Sequence, residues 1–80
     1  MNERKKRENE RKFGSWDDLP DRGRRYFFVI EGRHGWKARY VKEVDTLENT
    51  VRFYQEILDE EGKLVEIHEK YPIDKGHRRV

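Results

Sequence analysis

From residue 24 onward the chain alternates apolar and polar side chains with a period of two, and half-buried antiparallel strands are what that alternation builds. Four stretches carry it: 25–31 (RYFFVIE), 36–44 (WKARYVKEV), 50–58 (TVRFYQEIL) and 63–71 (KLVEIHEKY). Gly32-Arg33-His34-Gly35 joins the first pair, Asp45 to Asn49 the middle pair, and Asp59-Glu60-Glu61-Gly62 the last. The last connection suits a three-residue loop in which Gly62 takes the left-handed position and makes a bulge. Because every connection is short, the simplest topology is a four-stranded antiparallel β-meander in sequence order.

Ahead of the sheet, residues 1–12 (MNERKKRENERK) hold no apolar residue after Met1. Glu3/Arg7 and Arg4/Glu8 attract at i,i+4 while Arg7/Arg11 repel, so the head is either a short solvated helix or disordered. Phe13, Trp16 and Leu19 then recur every third residue, Pro20 ends the stripe, and Asp21-Arg22-Gly23 reads as a turn. Segment 13–19 is expected to lay its apolar side on the domain. The expected class is therefore α+β, mainly β, with a charged tail over 1–12 and one small domain over 13–80.

Composition narrows the classes of protein that remain. Of 80 residues, 45% are charged and 32% hydrophobic, and no apolar run exceeds the five residues Tyr26 to Ile30. A membrane-spanning helix is excluded by that limit. The charged amino terminus offers no apolar core for a secretory signal, so a cytoplasmic protein without membrane partners is expected. With no cysteine there is neither a disulfide framework nor a thiolate metal site. Charge is uneven: residues 1–25 are net positive, 26–70 net negative and 71–80 net positive again. Basic ends serve phosphate contacts or simple solvation.

Hairpin register decides which side chains share a face. If Asp59 pairs with Lys63, Ile57 faces Val65 and Gln55 faces Ile67, while Glu56 faces Glu66 and Tyr54 faces His68 on the reverse. With Gly32 opposite Gly35, Val29 meets Ala38 and Phe27 meets Tyr40. Setting Val44 against Val51 puts Ala38 by Ile57 and Arg39 by Glu56. The expected core face is then Phe27, Val29, Ala38, Tyr40, Phe53, Ile57, Val65 and Ile67. Three apolar residues in 13–19 are too few to cover eight, so a homo-oligomer is expected to complete the cover.

On the polar face, four residues are candidates for proton transfer: His68, Tyr54, Glu56 and Glu66. Lys37, Arg39, Arg52 and Lys70 are the candidate nucleic-acid contacts. Metal-free phosphodiester cleavage needs a proton acceptor, a proton donor and cations for the developing phosphorane charge, and histidine is the residue type that titrates near neutrality. Solvent faces of charge-rich sheets also carry such pairs for solubility alone. His34 falls in a turn. His77, in Lys75-Gly76-His77-Arg78-Arg79, either belongs to a tail or folds back towards His68. The spacings of His68, Asp74 and His77 match no helical or hairpin metal site, and no metal is expected. Without a glycine-rich phosphate loop, a nucleophile elbow or a Cys/His pair, no cofactor is expected either.

The last 28 residues, FYQEILDEEGKLVEIHEKYPIDKGHRRV, run strand, acid–Gly turn, strand and a closing aromatic-Pro…His element. That order resembles the TumE-like small toxins of toxin–antitoxin systems. Tyr71, Pro72 and His77 match the closing element and Gly62 the turn glycine. Where the family carries an Arg and an Asp after the turn, this chain has Glu66 and His68. The resemblance implies a small nucleic-acid-directed toxin with a cognate antitoxin as partner, and the function expected is a toxin acting on RNA as a metal-independent RNase. Two other classes stay open: a non-catalytic nucleic-acid binder using the basic head and Trp36 for stacking, and a protein-interaction module.

Overall fold

The computed structural model describes residues 2–20 and 23–80. It holds one helix, α1 (Glu3–Phe13), and one open antiparallel sheet whose strands follow sequence order. The strands are β1 (Ser15–Asp18), β2 (Arg24–Glu31), β3 (Lys37–Val44), β4 (Thr50–Leu58), β5 (Leu64–Tyr71) and β6 (Gly76–Arg79). The mainly β class is as expected, but among the described residues the sheet has six strands and not four. The two additions are short edge strands, SWDD and GHRR, which carry too few apolar residues to show a period-two signal. Asp21 and Arg22 of the expected turn lie outside the described residues. Among the described residues no helix is long and apolar enough to cross a membrane.

The charged head is helical over Glu3–Phe13. Asn2 caps it by accepting the Lys5 amide at 3.0 Å, Arg4 pairs with Glu8 at 3.5 Å, and the Gly14 amide closes the end on the Glu10 carbonyl at 2.9 Å. Local terms alone leave so short a helix marginal, and docking through Asn9 and Phe13 supplies the rest. Phe13 packs on Tyr26 and Val44, with Phe28 and Phe53 at the margin. Ring centroids of Phe13 lie 5.9 Å from Tyr26 and 5.4 Å from Phe28. Trp16, on the edge strand, leans on Tyr26 at 6.2 Å beneath the Arg24 guanidinium.

A polar network threads this core. Glu48, buried in the β3–β4 connection at φ 65°, accepts the Tyr26 hydroxyl at 2.8 Å and the Asn9 amide at 3.1 Å. Lys42 donates to the Asn9 carbonyl oxygen at 3.0 Å. Burial, then the Glu48 carboxylate, pushes the Tyr26 hydroxyl up to about 12. Buried polar groups persist only when partnered, and here each holds another.

Register matches expectation in one hairpin and departs from it in two. In β3–β4, Ala38 faces Ile57 and Arg39 faces Glu56 as expected, although a bulge near Val44 sets that residue against Thr50. In β2–β3 the turn is one residue longer than expected. Gly32 bonds the Trp36 carbonyl at 2.7 Å around a 3-10 turn (Arg33–Gly35), so Phe28 faces Tyr40 and Phe27 faces Val41. In β4–β5 the Asp59–Lys63 closure and the left-handed Gly62 (φ 82°) are as expected. A bulge between Ile57 and Leu58 then shifts the ladder, so Ile57 faces Glu66 and Gln55 faces His68.

A one-residue shift moves every following side chain to the other face. The expected core set is therefore divided. Ala38, Tyr40, Phe53 and Ile57 lie on the side of α1, whereas Phe27, Val29 and Ile67 lie on the reverse beside Val41 and Tyr54. Val65 falls in the bulge, between the register pairs of Leu64 and Glu66. On the reverse face Val41 and Tyr54 are buried, with the Arg52 guanidinium 4.0 Å over the Tyr54 ring, while Val29 is exposed.

Candidate functional site

On the α1 side of the sheet, one register line crosses five strands. Phe28 on β2 faces Tyr40 on β3, Tyr40 faces Gln55 on β4, Gln55 faces His68 on β5, and His68 faces His77 on β6. Directly opposed side chains on adjacent strands are neighbours, so the line forms a continuous strip of planar groups. Phe28 stacks on Tyr40 with centroids 5.0 Å apart and planes 16° from parallel. The Gln55 amide donates to the Tyr40 hydroxyl at 3.1 Å. His68 and His77 meet at 4.5 Å, tilted by 54°. Lys70 lies over Tyr40 at 5.2 Å and over Phe53 at 5.9 Å, placing a cation beside the strip. α1 packs against β1 and β2, away from the histidine end.

Each histidine is held by its own carboxylate. His68 Nε2–H donates to Asp74 Oδ1 at 2.6 Å, and the same oxygen accepts the Gly76 amide at 2.9 Å. Those two bonds, the Gly76 amide first, hold the Asp74 carboxyl below the usual aspartate range. His77 Nδ1 lies 2.9 Å from Glu66 Oε1. The two imidazoles differ in access. The His68 side chain is 16% exposed, with Nδ1 buried and unbonded, whereas that of His77 is 47% exposed. A carboxylate beside Nδ1 favours the tautomer that leaves Nε2 free to accept a proton. His77 has that surrounding at the open edge of the sheet, with His68 packed beside it.

The residues singled out by pattern do not form one patch. His68, Glu66 and Lys70 share the α1-side face, while Tyr54, Glu56, Lys37, Arg39 and Arg52 lie on the reverse. The bulge at Ile57/Leu58 separates them, since it turns Tyr54 towards Glu69 and Gln55 towards His68. On the reverse face carboxylates occupy the arginines. Arg39 bonds Glu56 at 2.6 Å, and Glu69 clasps Arg52, with Glu43 at 3.9 Å. The Glu69 bond raises the Arg52 pKa, and Arg52 in turn lowers that of Glu69. Tyr54 is buried, and its hydroxyl is pushed up by burial first and by Glu43 next. The histidine cluster also holds Asp74 and His77, which the strand pattern does not select as site residues. Of the two courses open to the Lys75–Arg79 stretch, the fold takes the one in which β6 brings His77 back to His68.

Among the described residues no group of three or more His, Asp or Glu side chains is placed to hold a metal ion. No family model, no curated protein and no solved structure matches this chain.

Proposed function

We propose that the protein binds single-stranded RNA along the strip from Phe28 to His77 and cleaves it at His77 by a metal-independent transesterification. The observation carrying this reading is the register line itself, stacked aromatics at one end and a carboxylate-oriented, accessible imidazole at the other. Unpaired bases stack on aromatic faces without sequence preference, and β-sheet faces are a recurrent platform for them. His77 Nε2 takes the proton of a ribose 2′-hydroxyl, and the oxygen attacks the adjacent phosphorus. The P–O5′ bond breaks to leave a 2′,3′-cyclic phosphate. The departing 5′-oxygen takes a proton from water, and His77 returns its proton to the hydroxide so formed. Lys70, over Tyr40 and Phe53, takes a backbone phosphate further along the bound strand. Such an activity fits the resemblance to the TumE-like toxins, and a cognate antitoxin would be the partner that restrains it.

The test is purified protein with an end-labelled single-stranded oligoribonucleotide in the presence of a chelator. Expected are fragments ending in a cyclic phosphate, a matching DNA strand that is bound but uncut, and loss of cleavage with retained binding in His77→Ala. Bound but intact RNA retires the cleavage and leaves a binding module. RNA that is neither bound nor cut retires the whole reading.

A further inference from the structure

The strip does not stop at Tyr40. Tyr40 also stacks on Phe53 at 6.5 Å and 27°, and Phe53 faces Tyr71 across β4–β5. Phe53 and Tyr71 form one wall of a cleft of about 590 Å³ that opens under α1. That volume falls inside the range of small-molecule sites, ~300–1,000 Å³. Three lysines from two elements line it: Lys5 and Lys12 on α1, and Lys42 on β3. Two acids line it as well, and both are engaged elsewhere. Glu8 pairs with Arg4, and Glu48 accepts from Tyr26 and Asn9. Neither Lys5 nor Lys12 has a carboxylate partner among the described residues. Lys70, over Tyr40 and Phe53, stands where strip and cleft meet.

We infer that this cleft is a second nucleotide subsite of the same RNA site, taking a base against Phe53 and Tyr71 and its phosphate on Lys5, Lys12 and Lys42. The inference rests on the RNA reading above and extends it to a substrate class: unpaired RNA long enough to reach from His77 to α1. The pairing of a flat apolar wall with unneutralised lysines fits a nucleotide better than it fits either an apolar ligand or a free inorganic anion. Burial, then Lys12, lowers the Lys42 pKa, with Lys5 adding to the effect and Glu48 and Glu8 opposing it.

The experiment uses His77→Ala protein, so that binding is read without turnover, and a fluorescent ten-nucleotide single-stranded RNA followed by anisotropy over a salt series. Adding Lys5→Gln and Lys12→Gln is expected to weaken binding roughly tenfold. The slope of log affinity against log salt should become shallower by about 1.4 as two phosphate contacts are lost. Lys37→Gln with Lys63→Gln removes the same charge from the reverse face and the β4–β5 turn, and is expected to change little. In the active background, the Lys5/Lys12 variant should cut the ten-nucleotide RNA more slowly than the parent does. Unchanged affinity and slope, or an equal loss in the Lys37/Lys63 control, overturns the subsite while cleavage stands. Weakened binding of an RNA that the parent never cuts keeps the subsite and removes the catalysis. No binding of the RNA by His77→Ala protein overturns both.

Discussion

The imidazoles of His68 and His77 stand 4.5 Å apart, on neighbouring strands, and each lies against a different carboxylate. One of those carboxylates, Asp74, also accepts the Gly76 amide that starts β6. The same side chain therefore fixes the turn, orients His68 and sets the register that brings His77 alongside. Histidine geometry and edge-strand folding are one property here.

Asp74→Ala should release the β6 edge. Amide exchange at residues 76–79 is expected to rise, and any RNA cleavage to fall with it, while the β2–β4 core keeps its protection. The folded state holds the Asp74 pKa down, so its contribution is complete above the ordinary aspartate value of ~3.9 and is lost as pH falls through the lowered one. Exchange at residues 76–79 followed from pH 6 downward checks both points. Unchanged protection in Asp74→Ala would refute the linkage.

Tyr26→Phe removes the hydroxyl that Glu48 accepts and leaves that carboxylate with Asn9. The expected loss is ~1–2 kcal/mol in urea unfolding at neutral pH. The alkaline limb carries a second signature. Folded Tyr26 ionises at about 12 whereas the unfolded residue does so near ~10, so its contribution is whole below the latter and disappears as pH rises through the former. Parent and variant should converge across that window, with tyrosinate absorbance as an independent reading.

Glu69→Gln should matter at neutral pH and not in acid. Arg52 holds the Glu69 pKa below its ordinary value, so the pair stabilises above the unfolded glutamate pKa of ~4.3 and fades as pH falls through the lowered one. For a half-exposed pair the expected cost is roughly 1 kcal/mol at pH 7. Melting curves of the two proteins should coincide near pH 2, and a constant offset at every pH would assign the effect to packing.

Gly23→Ala and Gly62→Ala separate close approach from backbone conformation. At Gly23 (φ 28°) a Cβ would overlap the carbonyls of Val44 and Asp45, and the variant should lose about 3 kcal/mol or more, or fail to fold. At Gly62 (φ 82°) nothing lies within 4 Å, so only the left-handed conformation is penalised, by ~1–2 kcal/mol. Equal losses in denaturant titrations would contradict this account.

Strands β2 to β5, the short turns between them and the β3–β4 register are all readable in the residues. Period-two alternation reports burial directly, and Asp59, Gly62 and Lys63 carry the chemistry of their own turn. Face membership is different. In β5, Leu64, Val65, Glu66, Ile67 and His68 tolerate either register, so polarity cannot reveal the bulge that sends Tyr54 to one side and His68 to the other. Nor does hydropathy flag Glu48, a charged loop residue that the folded core buries as an acceptor for Tyr26 and Asn9. The short β6 is also silent locally, since its pairing gains come from Glu66, His68 and the Asp74 turn and not from its own apolar content. The sequence alone determined a charge-rich antiparallel sheet with a basic head. Tertiary structure decided which polar residues meet, because a strand alternates with a period of two and one extra residue in a turn or bulge exchanges its faces.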